Sequence, residues 1–219
     1  MREIAGVDGV PGGWVVARLR GSAVSWSVVP DAPSVLEVTA GCAAVGVDIP
    51  LAVPVSGGRP CDGLAAARLG RARSSIFPAP PRAVLECPTH AAAVLLSREL
   101  TGRGISIQTY NIRRQILDWL AVDLPPTVVE VSPELAFRGM APDVGFVPKK
   151  SARGAGQRIA ALGAWLTPAV FADLPPGARL DDCLDALACT WSAARFASGE
   201  AEILGGEPGE GGRVMRVAL

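Results

Sequence analysis

Residues 44–49, Ala44-Val45-Gly46-Val47-Asp48-Ile49, form an apolar run that carries an acid near its end and is followed by Pro50. Because neighbouring side chains of a strand point to opposite faces, such a run predicts a strand buried on both sides, in the middle of a covered sheet. Val128-Val129-Glu130-Val131 is a second run of this kind. Together they predict central strands of an α/β fold.

The segments around these runs predict the rest of the sheet. Residues 4–8, 14–19 and 24–29 are rich in β-branched and aromatic residues and are separated by turns, which predicts two hairpins. Helical spacing at residues 31–39 precedes the run at 44–49. The order βββαβ, followed by a further strand and helices, predicts a mixed five-stranded sheet with helices on both faces, in which strands one, four and five are parallel and adjacent.

The chain changes character between residues 51 and 126, where Pro- and Gly-rich loops alternate with short helices. This stretch is interpreted as a helical insertion between the fourth and fifth strands. A helix near residues 155–165 and an acid-bearing helix ending near Ser198 follow, and residues 214–217 predict an edge strand. We therefore expect a single domain over residues 1–219 that carries an insertion at about 51–126.

Composition excludes several classes of protein. The 219 residues are 49% hydrophobic with zero formal net charge, so no overall field attracts nucleic acid. The absence of a long apolar run and of a secretion signal predicts a cytoplasmic protein that does not enter a membrane. Five cysteines without a C-x-x-C pair argue against a disulfide framework or a structural zinc site, and the single histidine, His90, excludes a three-histidine zinc site.

Asp182 and Asp185 are three residues apart in a segment that predicts a helix. Like charges at this spacing share one face and repel each other unless a cation or a catalytic task compensates. An alternative is that Asp181 or Asp182 caps the helix N-terminus and that Asp185 is merely exposed.

Three further acids lie at predicted strand ends. Asp8 is expected to end the first strand, Asp48 the fourth, and Glu130 lies near the end of the fifth. Parallel neighbouring strands would bring these ends to one rim, where α/β sheets bind ligands. Hard oxygen donors without histidine or cysteine favour Mg²⁺ or Mn²⁺. Singly, each acid could instead be a turn former, a loop-start residue or an edge carboxylate.

The expected mechanism uses two ions to hydrolyse a phosphodiester. Asp8, Asp48 and Asp185 are the candidate metal ligands, and Glu130 or Asp182 would support the second ion or orient water. All five are candidate catalytic residues.

Several motifs extend over nearly the whole chain, and they are Gly6-Val7-Asp8-Gly9-x-Pro11-Gly12-Gly13-Trp14-Val15, Val47-Asp48-Ile49-Pro50, Cys61-Asp62, Arg68-x-Gly70-x-x-Arg73-Ser74-Ser75-x-Phe77-Pro78-Ala79-Pro80-Pro81-Arg82, Glu130-Val131-x-Pro133-Glu134 and Asp181-Asp182-x-Leu184-Asp185-Ala186. Together these segments resemble the domain-of-unknown-function family 429. The resemblance implies a ribonuclease H-like fold and a nuclease-like site. The order of acids is also similar to that of Holliday-junction resolvases, whose last helix carries two aspartates that map onto Asp182 and Asp185.

Basic residues predict contacts to phosphate. Arg68, Arg73, Ser74, Ser75 and Arg82 lie in a Pro-stiffened segment and are candidate phosphate or substrate ligands. A rigid surface loop with solvated arginines is the alternative. Lys149 and Lys150 are the only lysines, and with Arg153 and Arg158 they could form a second backbone contact or a chance cluster.

The leading hypothesis is a metal-dependent nuclease acting on DNA or RNA, with a homodimer left open. A second hypothesis is a nucleotide-binding phosphotransferase of the actin or sugar-kinase type, because Asp8-Gly9 and Gly12-Gly13 also resemble the first phosphate loop of that superfamily. A third is a non-catalytic nucleic-acid-binding protein on the same fold.

Overall fold

A computed structural model describes residues 2–219, which form an α/β fold of seven strands and nine α-helices. The strands are β1 (Ile4–Val10), β2 (Gly13–Arg20), β3 (Ala23–Val29), β4 (Val45–Val47), β5 (Val128–Glu130), β6 (Ile203–Pro208) and β7 (Val214–Ala218). The helices are α1 (Ala32–Val38), α2 (Pro60–Leu69), α3 (Arg82–Leu85), α4 (His90–Thr101), α5 (Ile107–Asn111), α6 (Arg113–Leu120), α7 (Pro133–Met140), α8 (Ala152–Gly163) and α9 (Leu180–Ser198).

The main sheet has the strand order β3-β2-β1-β4-β5. Two hairpins make β1, β2 and β3 antiparallel, and β4 and β5 then run parallel to β1. The prediction of a mixed five-stranded sheet with adjacent parallel strands one, four and five is therefore confirmed. The edge strand predicted at residues 214–217 is β7, but it pairs with β6 in a separate two-stranded sheet, and only Ala218 bridges to Val131 beyond β5.

Both faces of the central strands are buried, as the apolar run at residues 44–49 predicts. Val7, Val16 and Val47 point to one face and are fully buried. On the other face, α9 packs across β1, β2 and β4. The sheet is thus covered on both sides at the strands that carry the candidate acids.

Two glycines allow α9 to lie very close to the sheet. A Cβ atom at Gly6 would lie 2.0 Å from the carbonyl oxygen of Ala186 and 2.2 Å from the backbone nitrogen of Thr190. A Cβ atom at Gly46 would lie 2.5 Å from the carbonyl oxygen of Cys189. No side chain fits at these distances, so only glycine permits this contact between helix and strands.

The core on the α9 side is built from β1, β2 and the last three helices. Buried side chains of all these elements form one apolar cluster, which includes Val10, Val15, Phe137, Leu162, Leu184 and Leu187. The sequence interpretation missed α7, although Ser132-Pro133-Glu134 is a helix-start signal with Pro in the first turn and an acid at the positive end of the helix dipole.

The chain divides into two compact units. One comprises the chain up to Ile49, Leu124–Glu202 and the last two residues, and the other comprises Pro50–Asp123 and Ile203–Val217. The second unit contains most of the segment interpreted as an insertion at about 51–126, together with β6 and most of β7, and its own apolar cluster includes Val84, Ala93 and Tyr110. Within residues 2–219, no helix combines the length and apolar character needed to cross a bilayer.

Candidate functional site

Asp8 and Asp48 lie side by side on two neighbouring strands. Val7 pairs with Val47 in the parallel register, and the backbone nitrogen of Asp48 donates a hydrogen bond to the carbonyl oxygen of Val7 at 3.0 Å. Because side chains alternate along a strand, Asp8 shares the face of Gly6, and Asp48 continues the alternation from Gly46. Both acids are therefore placed on the side of the sheet that α9 covers.

The helix α9 brings Asp185 to this face. Asp185 is 2% exposed and lies one residue before Ala186, whose carbonyl oxygen faces Gly6. The close approach that Gly6 and Gly46 permit is therefore also what brings Asp185 within electrostatic range of the strand acids. Asp8, Asp48 and Asp185 are called the carboxylate cluster below.

The pKa values show that the three carboxyl groups act on one another. Burial raises the pKa of Asp8 well above its ordinary value, and the charges of Asp48 and Asp185 raise it further. Burial and then the charge of Asp185 raise the pKa of Asp48 to about 8, with a smaller contribution from Glu130. Burial also raises the pKa of Asp185, but Lys149 opposes this and leaves it at about 6. The cluster is thus a place where negative charge is costly.

Lys149 supplies the countercharge. Its ammonium forms an ion pair with Oδ2 of Asp185. Burial lowers the pKa of Lys149, but Asp185 outweighs burial and raises the pKa above its ordinary value, so the side chain is positive at every physiological pH. Within residues 2–219, no hydrogen-bond donor reaches the buried Oδ1 of Asp185. Lys149 was predicted to bind phosphate, and the structure places it in the carboxylate cluster.

Contacts from α8 hold the loop that carries Lys149. The backbone nitrogen of Val147 donates to Oε1 of Gln157 at 2.9 Å, and Arg158 donates to the carbonyl oxygen of Val147 at 3.0 Å. Arg158 is 2% exposed and donates to both carboxylate oxygens of Glu134 at 2.8 and 3.0 Å. The suggestion that Arg158 contacts a nucleic-acid backbone is therefore wrong, because its guanidinium is buried and both terminal nitrogens donate inside the protein, although Nε has no partner among residues 2–219.

A close backbone contact adds to this clamp. A Cβ atom at Gly154 would lie 2.2 Å from the carbonyl oxygen of Pro148. The hydroxyl of Ser151 also donates to that oxygen at 2.8 Å, and it accepts from the backbone nitrogen of Gly154 at 3.0 Å. Lys149 is thus presented by a loop whose backbone is tied to the first turn of α8, while Lys150, the next residue, is exposed.

Glu130 is brought to the edge of the cluster. It is the last residue of β5, pairs in register with Val47, and is 7% exposed. Its charge contributes to the raised pKa of Asp48. By this register the side chain of Glu130 shares the face of Val47, opposite to α9, so it is related to the carboxylate cluster only by its electrostatic effect on Asp48.

Asp182 has a structural task as well. Its carboxylate accepts a hydrogen bond from the backbone nitrogen of Arg179 at 3.2 Å and forms part of a capping box at the start of α9. The alternative that Asp181 or Asp182 caps the helix is therefore correct for Asp182, whereas its second part, an exposed Asp185, is wrong because Asp185 is 2% exposed. Burial raises the pKa of Asp182, and its charge is among the smaller contributions to the raised pKa of Asp8.

The expected position of Asp8 at the end of its strand is wrong. The strand β1 continues to Val10, because its hairpin with β2 stays paired up to Val10 and Gly13. Asp8 instead lies one residue beyond the last pair of β1 with β4, which is Val7 with Val47. The end of the parallel pairing, not the end of the strand, places the acid.

The described residues contain no ready-made metal-binding geometry. Within residues 2–219, no group of three or more His, Cys, Asp or Glu side chains is arranged so that it could hold a metal ion. The carboxylate cluster nevertheless fits a hard dication by donor type, by its three carboxyl groups beside a single ammonium and by the unpartnered Oδ1 of Asp185. In this structure the cation beside Asp185 is the ammonium of Lys149.

The predicted phosphate ligands of the Arg- and Ser-rich segment lie in the second unit and have different surroundings. Arg82 forms an ion pair with Glu210 at 2.9 Å, and the hydroxyl of Ser75 donates to the carbonyl oxygen of Ala72 at 2.8 Å. Arg68 is exposed in the last turn of α2. Arg73 and Ser74 line a cavity of the second unit. Arg82 and Ser75 thus have partners within the protein, whereas Arg73 and Ser74 line the cavity.

Sequence reasoning missed the role of Gly6 and Gly46. A signal was present, because the same triplet occurs in both strands as Gly6-Val7-Asp8 and Gly46-Val47-Asp48. The first glycine of each triplet lies against α9, and the acid two residues later lies on the same face. The sequence carries no comparable signal for the role of Lys149, because the acid that pairs with a loop lysine is determined by the tertiary structure.

Comparisons with known proteins give one finding. Neither the search of curated proteins nor the search of solved structures found a match. The model of the family described as "Protein of unknown function (DUF429)" matches residues 6–210, a range that contains every member of the carboxylate cluster. Because this match spans most of the 219 residues, the chain belongs to that family.

Proposed function

We propose that the protein is a cytoplasmic, divalent-metal-dependent nuclease with a ribonuclease H-like fold, which hydrolyses phosphodiester bonds in nucleic acid. The observation that carries this proposal is the carboxylate cluster at a buried face of the sheet, in which Asp48 and Asp185 raise the pKa of Asp8 and Asp185 raises the pKa of Asp48. Buried like charges destabilise a fold, and they are retained where a ligand or a reaction needs them.

Asp8, Asp48 and Asp185 would hold Mg²⁺ or Mn²⁺, with two ions expected. Carboxylate oxygens alone suit these hard cations, and Oδ1 of Asp185 has a lone pair without a donor. When bound, such ions lower the pKa of the attacking water and stabilise charge on the leaving oxygen. At Asp185 a cation would share or replace the place of the Lys149 ammonium.

The remaining residues would position the reactants. Glu130, which is buried and whose charge raises the pKa of Asp48, would accept a hydrogen bond from the attacking water and orient it. The side chain of Lys149 is 35% exposed and permanently positive, so it would donate to a non-bridging phosphate oxygen while it keeps contact with Asp185. Asp182 would hold the start of α9, and so the position of Asp185, through its cap.

The sheet supports the fold part of the proposal. Three antiparallel strands followed by two parallel ones, with the acids on β1, after β4 and at the end of β5, agree with the architecture that the family resemblance implies. The long helix α9 then supplies the last acid, as the order of acids in Holliday-junction resolvases suggests.

A cleavage assay tests the proposal. Purified protein is incubated with single-stranded, double-stranded and branched DNA and RNA, each with Mn²⁺, with Mg²⁺ or with EDTA. We expect metal-dependent cleavage of at least one substrate, and a loss of at least 100-fold in Asp48→Asn. Asp143→Asn is the control, because Asp143 is exposed and outside the cluster. An inactive wild type on every substrate, or equal cleavage by Asp48→Asn, would contradict the proposal.

A non-catalytic nucleic-acid-binding protein on the same fold is the second candidate. The observation that favours it is the ion pair of Lys149 with Asp185, which already neutralises part of the cluster without a metal. Under this candidate the wild type binds branched or single-stranded nucleic acid in a gel-shift assay and leaves it intact.

The phosphotransferase alternative has lost its main support. Gly12 has φ +84° in the turn between β1 and β2, and a Cβ atom at Gly13 would lie 2.1 Å from the carbonyl oxygen of Val29. The hairpin and its packing therefore account for both glycines without a phosphate.

A further inference from the structure

The second unit contains a cavity of ≈ 870 Å³. It is lined by α2, the Arg- and Ser-rich segment after it, the Pro-rich stretch at residues 78–80, and the end of α4 with the loop that follows. This volume lies within the range of pockets that bury small organic ligands, roughly 300–1,000 Å³. The cavity belongs to the second unit alone and shares no residue with the carboxylate cluster.

The cavity carries an excess of positive charge. Of its three arginines, Arg59 is buried in an ion pair with Asp62 at 2.9 Å and also donates to the carbonyl oxygen of Ala52 at 2.9 Å. Arg73 and Arg103 are exposed, and among the described residues 2–219 no carboxylate forms an ion pair with either guanidinium. Two unpaired guanidinium groups at one cavity favour an anion, and phosphate fits their planar donors best.

The cavity wall beside Arg73 is apolar, and this indicates what the uncharged part of the ligand is. Ile76, Phe77 and Pro78 follow Arg73 and Ser74 along the chain and line the same cavity. Phe77 is 39% exposed and lines the cavity, so its ring is accessible to a ligand there. An exposed aromatic ring beside a phosphate-binding group suits the stacking of a nucleobase.

The backbone around these groups is held in place before any ligand arrives. Oδ2 of Asp62 accepts a hydrogen bond from the backbone nitrogen of Ala79 at 3.2 Å, in a stretch whose prolines fix φ. At the other wall, the hydroxyl of Ser97 donates to the carbonyl oxygen of Arg103 at 2.7 Å, and the backbone nitrogen of Arg103 donates to the hydroxyl of Thr101 at 3.2 Å. Pre-ordered walls reduce the entropy lost on binding.

We infer that this cavity binds a mononucleotide, whose phosphate contacts Arg73, Ser74 and Arg103 and whose base packs on Phe77. The site goes beyond the proposed nuclease centre and does not depend on it, because binding needs neither a metal nor the carboxylate cluster. Mononucleotides are also the chemical class that a nuclease or a nucleotide-consuming enzyme would release or sense.

Isothermal titration calorimetry of the full-length protein tests the inference. The ligands are the four 5′-ribonucleoside monophosphates, the matching nucleosides, ribose 5-phosphate and inorganic phosphate, all in the presence of EDTA. We expect at least one nucleotide to bind at least tenfold more tightly than its nucleoside, than ribose 5-phosphate and than inorganic phosphate. Failure of all four nucleotides to bind, or equally tight binding of inorganic phosphate, would overturn the inference.

Variants locate the site. Arg73→Gln and Arg103→Gln should each weaken binding at least tenfold, and Phe77→Ala should weaken the nucleotide but not inorganic phosphate. Arg71→Gln is the matched control, because Arg71 is exposed in the same short segment and does not line the cavity. Equal loss in Arg71→Gln, or no loss in Arg73→Gln and Arg103→Gln, would contradict the assignment. Asp48→Asn should bind the nucleotide like the wild type, which separates this result from the cleavage assay.

Discussion

The carboxylate cluster of the first unit and the arginine-lined cavity of the second differ in how far their charged groups are exposed to solvent. Asp8 and Asp185 are buried between sheet and helix, where the charge of Asp185 raises the pKa of Asp8, whereas Arg73 and Arg103 are exposed on pre-ordered loops. Charge in the first site is costly and coupled to folding, and charge in the second is well solvated. We therefore expect changes in the first site to alter stability, and changes in the second to alter binding only.

The largest effect should come from closing the gap between α9 and the sheet. Gly6→Ala places a Cβ atom 2.0 Å from the carbonyl oxygen of Ala186, so the helix must move. We expect a loss of about 3 kcal/mol or more in the free energy of unfolding, measured by chemical denaturation. Gly46→Ala should act similarly, because its Cβ would meet the carbonyl oxygen of Cys189 at 2.5 Å.

A matched glycine isolates the cause. Gly156 lies exposed inside α8, and a Cβ atom there would meet no heavy atom within 4 Å. Gly156→Ala should therefore be neutral or stabilising by up to about 1 kcal/mol. If Gly6→Ala were as harmless as Gly156→Ala, the close approach of α9 to β1 would be refuted.

The next effect concerns pH and has a defined sign. The pKa of Asp48 is about 8 in the folded protein, against about 3.9 in an unfolded chain. Below pH 4 both states hold the proton, and between about pH 4 and 8 the unfolded state releases it first. Stability of the metal-free protein should therefore fall as pH rises through this window, by at most about 1.4 kcal/mol per pH unit for this group.

Thermal melts from pH 4.5 to 8.5 in EDTA measure this dependence. Asp48→Asn should flatten the fall, and above pH 7 it should be more stable than the wild type, whereas Asp143→Asn should keep the wild-type slope. A wild type whose melting temperature rises steadily over this range would show that the cluster does not strain the fold.

A third comparison concerns the two adjacent lysines. Lys149→Met removes the countercharge of Asp185, and we expect a loss of roughly 1–3 kcal/mol in stability without metal, because a buried carboxylate is left unpaired. The same variant should gain more than the wild type from added Mn²⁺ in a thermal melt, since the ammonium no longer competes for Asp185. Lys150 is exposed, so Lys150→Met should match the wild type in both measurements. If Lys149→Met were as stable as the wild type, Lys149 would not be the countercharge of Asp185 in the carboxylate cluster.

The smallest effect separates the two acids of α9. Asp182→Ala loses the hydrogen bond to the backbone nitrogen of Arg179, which should lower stability by about 0.5–1 kcal/mol. Stabilisation by Mn²⁺ should persist in Asp182→Ala and vanish in Asp185→Asn, as measured by thermal melting at increasing metal concentration. If Mn²⁺ stabilised both variants equally, Asp182 and Asp185 would not differ in their role, and the assignment of one as helix cap and the other as metal ligand would be wrong.

The central sheet was predictable because burial on both faces leaves a simple trace in sequence. The apolar runs at residues 44–49 and 128–131 identified β4 and β5, and the turns before them identified the hairpins of β1, β2 and β3. Asp8, Asp48 and Glu130 could be associated because parallel strands align their ends. Their grouping with Asp185 was also predicted, but the close packing of α9 on Gly6 and Gly46, which brings Asp185 to the sheet, was not.

Side-chain partners were harder to predict than elements. Arg158 and Lys149 are basic residues of the same region, yet one is buried against Glu134 and the other joins the carboxylate cluster. Residue type alone gives the charge and not its partner, because the partner is set by the loop and by α7, a helix that the sequence interpretation missed. The capping role of Asp182 was predictable as an alternative, because helix starts favour acids.

The repeated Gly-Val-Asp triplet has a consequence for inheritance. In a related sequence that keeps both aspartates but replaces either glycine, the new side chain would force α9 away from the sheet. The acids would then be present in the sequence but no longer close together in the fold. Joint presence of both glycines is therefore a sharper criterion for an intact centre among related sequences than the aspartates themselves.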